Sequence, residues 1–184
     1  MKTKRWSIFD IALIGLLIAL TIVASRYLKI EPTPWLRLTF SNAFIMLAGI
    51  WLGPIAGALV GGISDLLGCL ISGYAPSIPY MIAPITTGVL AGICAPLFRK
   101  NKNVFIYGGI LAGIALITTV LIGSWAMNLY YGTPYAILIP QRGLQAILNT
   151  VLNTVVVYSL YRSPVTGMLN SQTVQQKKVA EKID

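Results

Sequence analysis

The stretch "GPIAGALVGGISDLLG", residues 53–68, is an apolar, helix-like run that carries one carboxylate, Asp65. No lysine or arginine occurs within ten residues of Asp65 on either side. An unpaired carboxylate near the centre of a membrane helix costs roughly 2.5–3.5 kcal/mol on insertion scales. If the run crosses a bilayer, we therefore expect a cation or a ligand to offset that cost.

The composition of the chain indicates an integral membrane protein. Of its 184 residues, 56% are hydrophobic and only 10% are charged, whereas about 25% of the residues in an ordinary globular domain are charged. The length suits one compact domain. The net charge of +9 could point to nucleic acid, but the basic residues lie between apolar runs rather than along one face. We therefore expect the chain to contact membrane lipid and not nucleic acid.

Six apolar stretches, the second of them short, are predicted to cross the membrane as helices. They cover about residues 8–26, 39–53, 55–73, 79–98, 104–127 and 141–161. Lysines and arginines precede the first stretch, lie between the fourth and fifth, and follow the sixth, so six spans place them all on one side. By the positive-inside rule that side is cytoplasmic. The prediction is an all-α integral membrane bundle of six transmembrane helices with both termini in the cytoplasm.

The bundle is predicted to occupy residues 1–163, and the polar segment 164–184 is predicted to be a cytoplasmic tail. The basic start followed by an apolar run resembles a signal peptide. No convincing small-residue cleavage site follows, however, and the run is long enough to span a bilayer. We therefore interpret residues 8–26 as a retained first helix.

Three ionisable residues lie at membrane depth or at its edge: Arg26, Asp65 and Arg142. The predicted topology puts all three toward the outer side, so that they can share an outward-facing cavity. One interpretation is a buried arginine–aspartate pair that only locks helices together. The other is a ligand site, because two arginines against one acid leave a positive surplus that fits an anionic ligand.

The sixth predicted helix carries a polar stripe. Arg142, Gln145, Asn149 and Asn153 recur at i, i+3, i+7 and i+11, which places them on one helical face. For Asn149 and Asn153 we favour hydrogen bonds to another helix. For Gln145, one turn from Arg142, a ligand contact is an equal alternative.

The predicted outer loops contain aromatic residues and prolines. They cover residues 29–38, 73–79 and 128–140. Aromatic side chains of this kind anchor proteins at the membrane interface. Alternatively they form the mouth of a ligand site, in which aromatic faces stack on planar rings and prolines stiffen the loops.

The sequence lacks the residue patterns of the common enzyme classes. It contains no histidine, no P-loop motif, no H-E-x-x-H motif and no acidic cluster suited to magnesium. We therefore expect neither an enzyme nor a metal or cofactor site. A chain of 184 residues is also short for a secondary transporter built from inverted repeats. A small solute-binding protein that another protein powers is the best remaining prediction.

The run from Gly53 to Gly68 has the pattern G-P-x-x-G-x-x-x-G-x-x-x-D-L-L-G. Together with residues 37–52, "SRYLKI" (25–30) and "LIPQR" (138–142), it resembles the substrate-binding S components of energy-coupling-factor (ECF) vitamin transporters. Within that family it looks most like the folate-specific members. The resemblance covers residues 5 to 162.

The resemblance implies a multi-pass protein of the bacterial plasma membrane that binds a vitamin with high affinity at its outer end. It also implies partners that this chain does not contain: a transmembrane coupling subunit and two ATPase subunits. The S component of this family is thought to topple in the membrane when ATP drives the complex. Its first helix typically carries an A-x-x-x-A docking motif, for which Gly15 and Ala19 are the nearest match. A riboflavin or pantothenate S component and a stand-alone solute carrier are the alternatives.

For a folate ligand, the resemblance implies roles for specific side chains. Asp65 is the candidate acceptor for the N–H donors of the pterin edge. Arg26 and Arg142 are candidates for the aminobenzoyl-glutamate or the pterin carbonyl, and Lys29 and Arg37 for the carboxylates of the tail. Four aromatic residues are candidates for stacking, with an interfacial or packing role as the alternative for each: Phe40, Tyr80, Trp125 and Tyr131.

Overall fold

A computed structural model describes residues 6–28, 30–33, 36–73, 77–100, 103–163 and 166 of the chain. Its α-helices are α1 (Ile8–Arg26), α2 (Ser41–Leu52), α3 (Pro54–Ile71), α4 (Ile78–Ile93), α5 (Ala95–Lys100), α6 (Val104–Ala115), α7 (Gly123–Tyr131) and α8 (Tyr135–Arg162). A π-helical turn, Leu116–Ile122, joins α6 to α7 without a break. Two short strands, β1 (Ile30–Thr33) and β2 (Leu36–Leu38), precede α2.

Four helical stretches are long and apolar enough to cross a membrane: Ile8–Arg26, Pro54–Ile71, Val104–Leu129 and Tyr135–Arg162. Two shorter apolar helices are Ser41–Leu52 and Ile78–Ile93. The prediction of a helical membrane protein is thereby confirmed. The count of six spans and the orientation of the termini stay predictions.

Some helix ends differ from the predicted spans. The fourth helix ends at Ile93, and the short α5 follows it as a separate element. The last helix begins at Tyr135 rather than near 141, so that Pro140 lies inside it. A proline lacks the N–H that bonds to the preceding turn, but membrane helices tolerate this loss when neighbouring groups compensate.

The strands form an antiparallel hairpin between α1 and α2, with Ile30 opposite Leu38 and Thr33 opposite Leu36. The sequence predicts only an outer loop at residues 29–38, without strands. The hairpin follows the end of α1 and leads into the start of α2. It therefore lies at the same end of the bundle as Arg26.

Helices α3 and α4 approach each other through glycines. A Cβ at Gly57 would lie 2.5 Å from the Gly88 carbonyl oxygen, and a Cβ at Gly88 would overlap the Gly57 carbonyl. Only glycine allows two helix backbones to come this close. Further positions of the same kind extend the contact along α3 and to α2. We refer to these residues together as the glycine seam: Gly49, Gly57, Gly61, Gly88 and Gly92.

Helix α2 lies at the centre of the bundle. Its residues 45–50 are all buried, and it contacts α1, α3, α4 and α8. One apolar cluster joins α2 to α4, α5, α6 and α8 around Leu47, Phe98 and Leu111. A second cluster joins α1, α2 and α3 around Leu17, Ala48 and Val60. The apolar side chains that point away from the bundle suit a lipid environment.

Candidate ligand-binding site

A polar cavity of about 250 Å³ lies where α1 ends and α2 begins. Its walls come from α1, the hairpin, the start of α2, α3, α4, the π-helical turn, α7 and α8. The charged and amide side chains in these walls include Arg26, Arg37, Asp65, Arg142, Gln145 and Asn149. Segments that lie far apart in the sequence thus contribute polar groups to one cavity, which is typical of a ligand site.

Asp65 lies in the α3 wall of the cavity and is half-buried. Among the described residues, Arg26 and Arg37 are the cations that act electrostatically on its carboxylate. The sequence predicts Arg26 here, together with Arg142. The hairpin brings Arg37 there instead, because the Arg37 Nη2 donates to the Ser25 carbonyl oxygen at 2.7 Å and so holds the side chain against the end of α1.

The Arg26 guanidinium lies against α3 at Gly68, one turn beyond Asp65. A Cβ at Gly68 would lie 2.9 Å from Arg26 Nη2 and 3.3 Å from Nε. The glycine therefore makes room for the guanidinium beside the carboxylate. The Arg26 Nε is buried and has no hydrogen-bond partner within the described part of the chain. A buried donor of this kind is costly unless a ligand or water bonds to it.

Arg142 lies on the α8 wall, apart from the Asp65 group. Its Nη2 donates to the Met127 Sδ at 2.9 Å, and Tyr80 is the titratable group that acts on it electrostatically. A thioether is a weak acceptor. The contact therefore fixes the position of the guanidinium without satisfying its strong donors, which suits an anionic ligand group.

The polar stripe of α8 holds the exit of the hairpin. Gln145 Nε2 and Asn149 Nδ2 each donate to the Arg37 carbonyl oxygen at 3.0 Å. The Thr39 N–H donates to the Asn149 Oδ1 at 2.9 Å, and Asn153 Nδ2 donates to the Asn149 carbonyl oxygen at 2.7 Å. The expectation of bonds from Asn149 to another helix is wrong, because its partners are the backbone groups that connect β2 to α2.

The predicted aromatic residues do not all meet at the cavity. Tyr80 lines it, whereas Trp125 is 45% exposed on the outside of α7. Phe40 is half-buried just before α2 and is not one of the described residues in the cavity wall. The Tyr131 side chain and Lys29 lie outside the described residues.

The Gly15 and Ala19 ridge lies on an exposed face of α1. A Cβ at Gly15 would meet no atom within 4 Å. The ridge is therefore open for another helix to approach, at a distance from the cavity along α1. The sequence prediction of a docking role is compatible with this position and stays a prediction.

Three cavity residues of the fifth predicted span are not among the predicted site residues: Thr118, Thr119 and Gly123. Two adjacent threonines inside an apolar run are polar groups at membrane depth, and such groups are functional candidates. That signal was present in "LITTVLIG", residues 116–123. The described residues contain no group of three or more metal-binding side chains placed to hold a metal ion.

A second, larger groove of about 520 Å³ lies on the outer face of α3 and α4. Its walls are apolar throughout and include Leu59, Ile63, Leu66 and Ile85. A groove without polar groups cannot orient a polar vitamin. The polar cavity is therefore the candidate ligand site.

Comparisons with known proteins match most of the chain. Residues 5–164 match the family model described as "ECF-type riboflavin transporter, S component". The chain is 24% identical over 151 residues to the folate transporter FolT of Clostridium novyi (strain NT), a match that covers 79% of this chain and 84% of that protein. It is 30% identical over 107 residues to a UPF0397 protein of Clostridium perfringens (strain SM101 / Type A), and that match covers 57% of each chain.

Solved structures show the same fold. A crystal structure of FolT bound with folic acid superposes with a TM-score of 0.69 at 21% identity, over 84% of this chain and 93% of that one. The S component of a bacterial ECF transporter gives a TM-score of 0.64 at 21% identity, over 87% and 97%. The S component for biotin from an ECF-type ABC transporter gives 0.62 at 20% identity, over 89% and 96%.

Proposed function

Since the chain belongs to the family of ECF-type riboflavin transporter S components, which are multi-pass proteins of the bacterial plasma membrane, we propose that it is a folate-binding member. It captures folate in the polar cavity at the outer face of the membrane. An ATP-driven partner module then delivers the vitamin inward. The chain itself carries no catalytic role in this proposal, since it serves as the substrate-binding subunit of a transporter.

The charge of the cavity carries the proposal. Among the residues that the structure describes, Arg26, Arg37 and Arg142 line the cavity together with one carboxylate, Asp65. The glutamate end of folate bears two carboxylates, for which arginine is the natural partner. Riboflavin bears none, so it would leave the surplus of positive charge unmatched in a partly buried site. The likeness to FolT supports the same choice.

The cavity also offers a partner for the other end of folate. The pterin edge presents neighbouring N–H donors, and a carboxylate accepts such a pair in a bidentate arrangement. Asp65 is the carboxylate in the cavity wall. We assign it to the pterin edge, and we assign the arginine that lies apart from it, Arg142, to a carboxylate of the tail.

The proposed topology has six spans, in which the short helices α2 and α4 cross the membrane together with the four longer stretches. Both termini and the polar tail 164–184 are cytoplasmic. The cavity, at the Arg26 end of α1, then opens outward. Cysteine accessibility at Ser7 and at Thr133 tests this arrangement, because a membrane-impermeant reagent should label only the cysteine at Thr133 in intact cells.

Ligand titration of the purified full chain tests the function. We expect folate to quench tryptophan fluorescence in a saturable way at micromolar concentration or below, and riboflavin, biotin and pantothenate to have no such effect. The absence of a response to folate at micromolar levels would contradict the proposal. A saturable response to another vitamin would instead support the alternative, an S component with a different ligand.

The partners in this proposal are a transmembrane coupling subunit and two ATPase subunits, which contact the Gly15 and Ala19 ridge. An Ala19→Trp variant should bind folate as the wild type does but should not support folate uptake in cells that supply the partner module. The matched control is Ile147→Trp on the exposed face of α8.

Proteoliposomes that contain only this chain should not accumulate folate, and uptake there would favour a stand-alone carrier.

A further inference from the structure

The helix that runs from α6 through the π-helical turn into α7 changes its buried face midway. Buried positions in the first half recur every three or four residues, at Tyr107, Leu111, Ile114 and Thr118. An uninterrupted α-helix would continue this face to Ile122 and Trp125. Instead Gly123 is buried, five residues after Thr118, and Trp125 is exposed.

The π-helical turn causes this change. The Gly123 N–H donates to the carbonyl oxygens of Thr118 and Val120, so it passes over Thr119, its partner in an α-helix. One additional residue in a turn rotates everything that follows by about 100° relative to a continuous α-helix. Such turns are rare and occur frequently at functional sites.

The rotation brings two residues of α7 to Arg142. A Cβ at Gly123 would lie 3.9 Å from Arg142 Nη1, and one turn later the Met127 Sδ accepts from Arg142 Nη2 at 2.9 Å. Thr118, Thr119 and Gly123 all line the cavity. Without the additional residue, each position in α7 would be taken by the residue before it, so that the bulky Ile122 would replace Gly123 and Trp125 would replace the buried Ala126.

We propose that the π-helical turn is a built part of the ligand site and that Gly123 is a specificity-determining residue. The turn sets the rotation at which Met127 holds the Arg142 guanidinium. Gly123 then leaves the space in front of that guanidinium open to an anionic group of the ligand. This inference rests on the proposed function because the ligand is taken to be folate.

The first test fills the open space. Gly123→Leu should weaken folate binding about 10- to 100-fold. The leucine side chain would occupy the space that the ligand group needs, and such overpacking is as unfavourable in a binding site as in a protein core. The matched control is Gly113→Leu on the same helix, since a Cβ at Gly113 meets no atom within 4 Å. Gly113→Leu should bind folate as the wild type does. A folded Gly123→Leu protein with wild-type folate affinity would overturn the proposal.

The second test removes the rotation itself. Deletion of Val120 shortens the π-helical turn by one residue, so that α7 should rotate and turn Trp125 away from lipid. Quenching of Trp125 by brominated lipids should then fall, with the Trp125→Phe variant providing the background from the other tryptophans. Folate binding should be lost. A folded deletion protein with unchanged Trp125 quenching would overturn the role of the turn.

The two tests separate this inference from the proposed function. If the wild type binds folate and both tests fail, the function stands and the inference falls. If the wild type does not bind folate, the proposed function falls. The quenching of Trp125 in the deletion protein then decides alone whether the turn sets the rotation of α7.

Discussion

Helix α3 passes through two regions that are built in opposite ways. Its first turns belong to the glycine seam, where main-chain carbonyl oxygens of α4 occupy the positions of absent β-carbons. At Ser64 and Asp65 the same helix lines the polar cavity, where Arg26 and Arg37 act electrostatically on the Asp65 carboxylate. Main-chain contacts cannot adjust to an added atom, whereas cavity side chains can be exchanged singly. We therefore expect seam variants to lose the fold and cavity variants to lose the ligand.

The largest effect is expected in the seam. A Gly88→Ala variant places a Cβ on the Gly57 carbonyl, and separation of α3 from α4 should cost on the order of 3 kcal/mol of unfolding free energy. The midpoint of thermal unfolding in detergent should fall by roughly 6–12 °C. Gly109→Ala is the control, because a Cβ there meets no atom within 4 Å. An unchanged midpoint for Gly88→Ala would show that the seam is not tightly closed.

The next effect is expected in the cavity, with the fold intact. Asp65→Asn removes the charge between Arg26 and Arg37 and replaces one acceptor oxygen by a donor. We expect the binding free energy for folate to weaken by about 2–4 kcal/mol, which is a roughly 30- to 1000-fold loss of affinity. The desolvated arginines and the pterin N–H donors would lose the carboxylate that they face. Calorimetric titration measures this loss.

Asp10→Asn is the matched control for the Asp65 variant. Asp10 is another buried aspartate, 5% exposed, and it accepts a hydrogen bond from the Ser7 N–H at the start of α1. It lies at the opposite end of α1 from the cavity, so the variant should keep the folate affinity of the wild type. If Asp65→Asn unfolds the protein instead, the acid only locks helices together, and the comparison with the seam fails.

The sequence predicts those features that depend on length and composition. The bounds of α1 agree with the prediction because one apolar run lies between charged segments. Arg26 and Asp65 line the same cavity, because the alternation of spans brings the end of α1 and the later part of α3 to the same end. The membership of the S-component family is also confirmed, since its motif lies in one continuous stretch of sequence.

The features that the sequence does not predict depend on tertiary geometry. Arg37 joins Asp65 in the cavity wall because the hairpin folds back on α1, and the seven strand residues show no clear alternation that would predict a hairpin. Trp125 faces outward because the π-helical turn shifts the helical phase. Apolar residues that repeat every 3.6 positions do not show where the backbone hydrogen bonds change from the i−4 to the i−5 carbonyl.

A smaller effect is expected where α8 holds the hairpin. Asn149→Ala removes a donor to the Arg37 carbonyl and an acceptor for the Thr39 N–H. Two lost hydrogen bonds should loosen the hairpin end and raise the folate dissociation rate roughly 10-fold. Stopped-flow chase with unlabelled folate measures the rate.

Asn128→Ala serves as the control for the Asn149 variant, because Asn128 bonds to the Thr133 carbonyl at the turn before α8 and not to the hairpin. Equal rates for both variants would show that the amide stripe does not retain the ligand.

The smallest effect is expected at Trp125, and it gives the sharpest definition of the cavity boundary. Tyr80 lines the cavity beside Arg142, so Tyr80→Leu should weaken folate binding several-fold through lost stacking. Trp125 is 45% exposed on the outer side, so Trp125→Leu should stay within about twofold of the wild type, as surface changes usually do. Calorimetric titration of both variants makes the comparison without relying on tryptophan emission. Equal losses would mean that α7 is rotated as a continuous α-helix requires, which would move the cavity wall from Gly123 to Trp125.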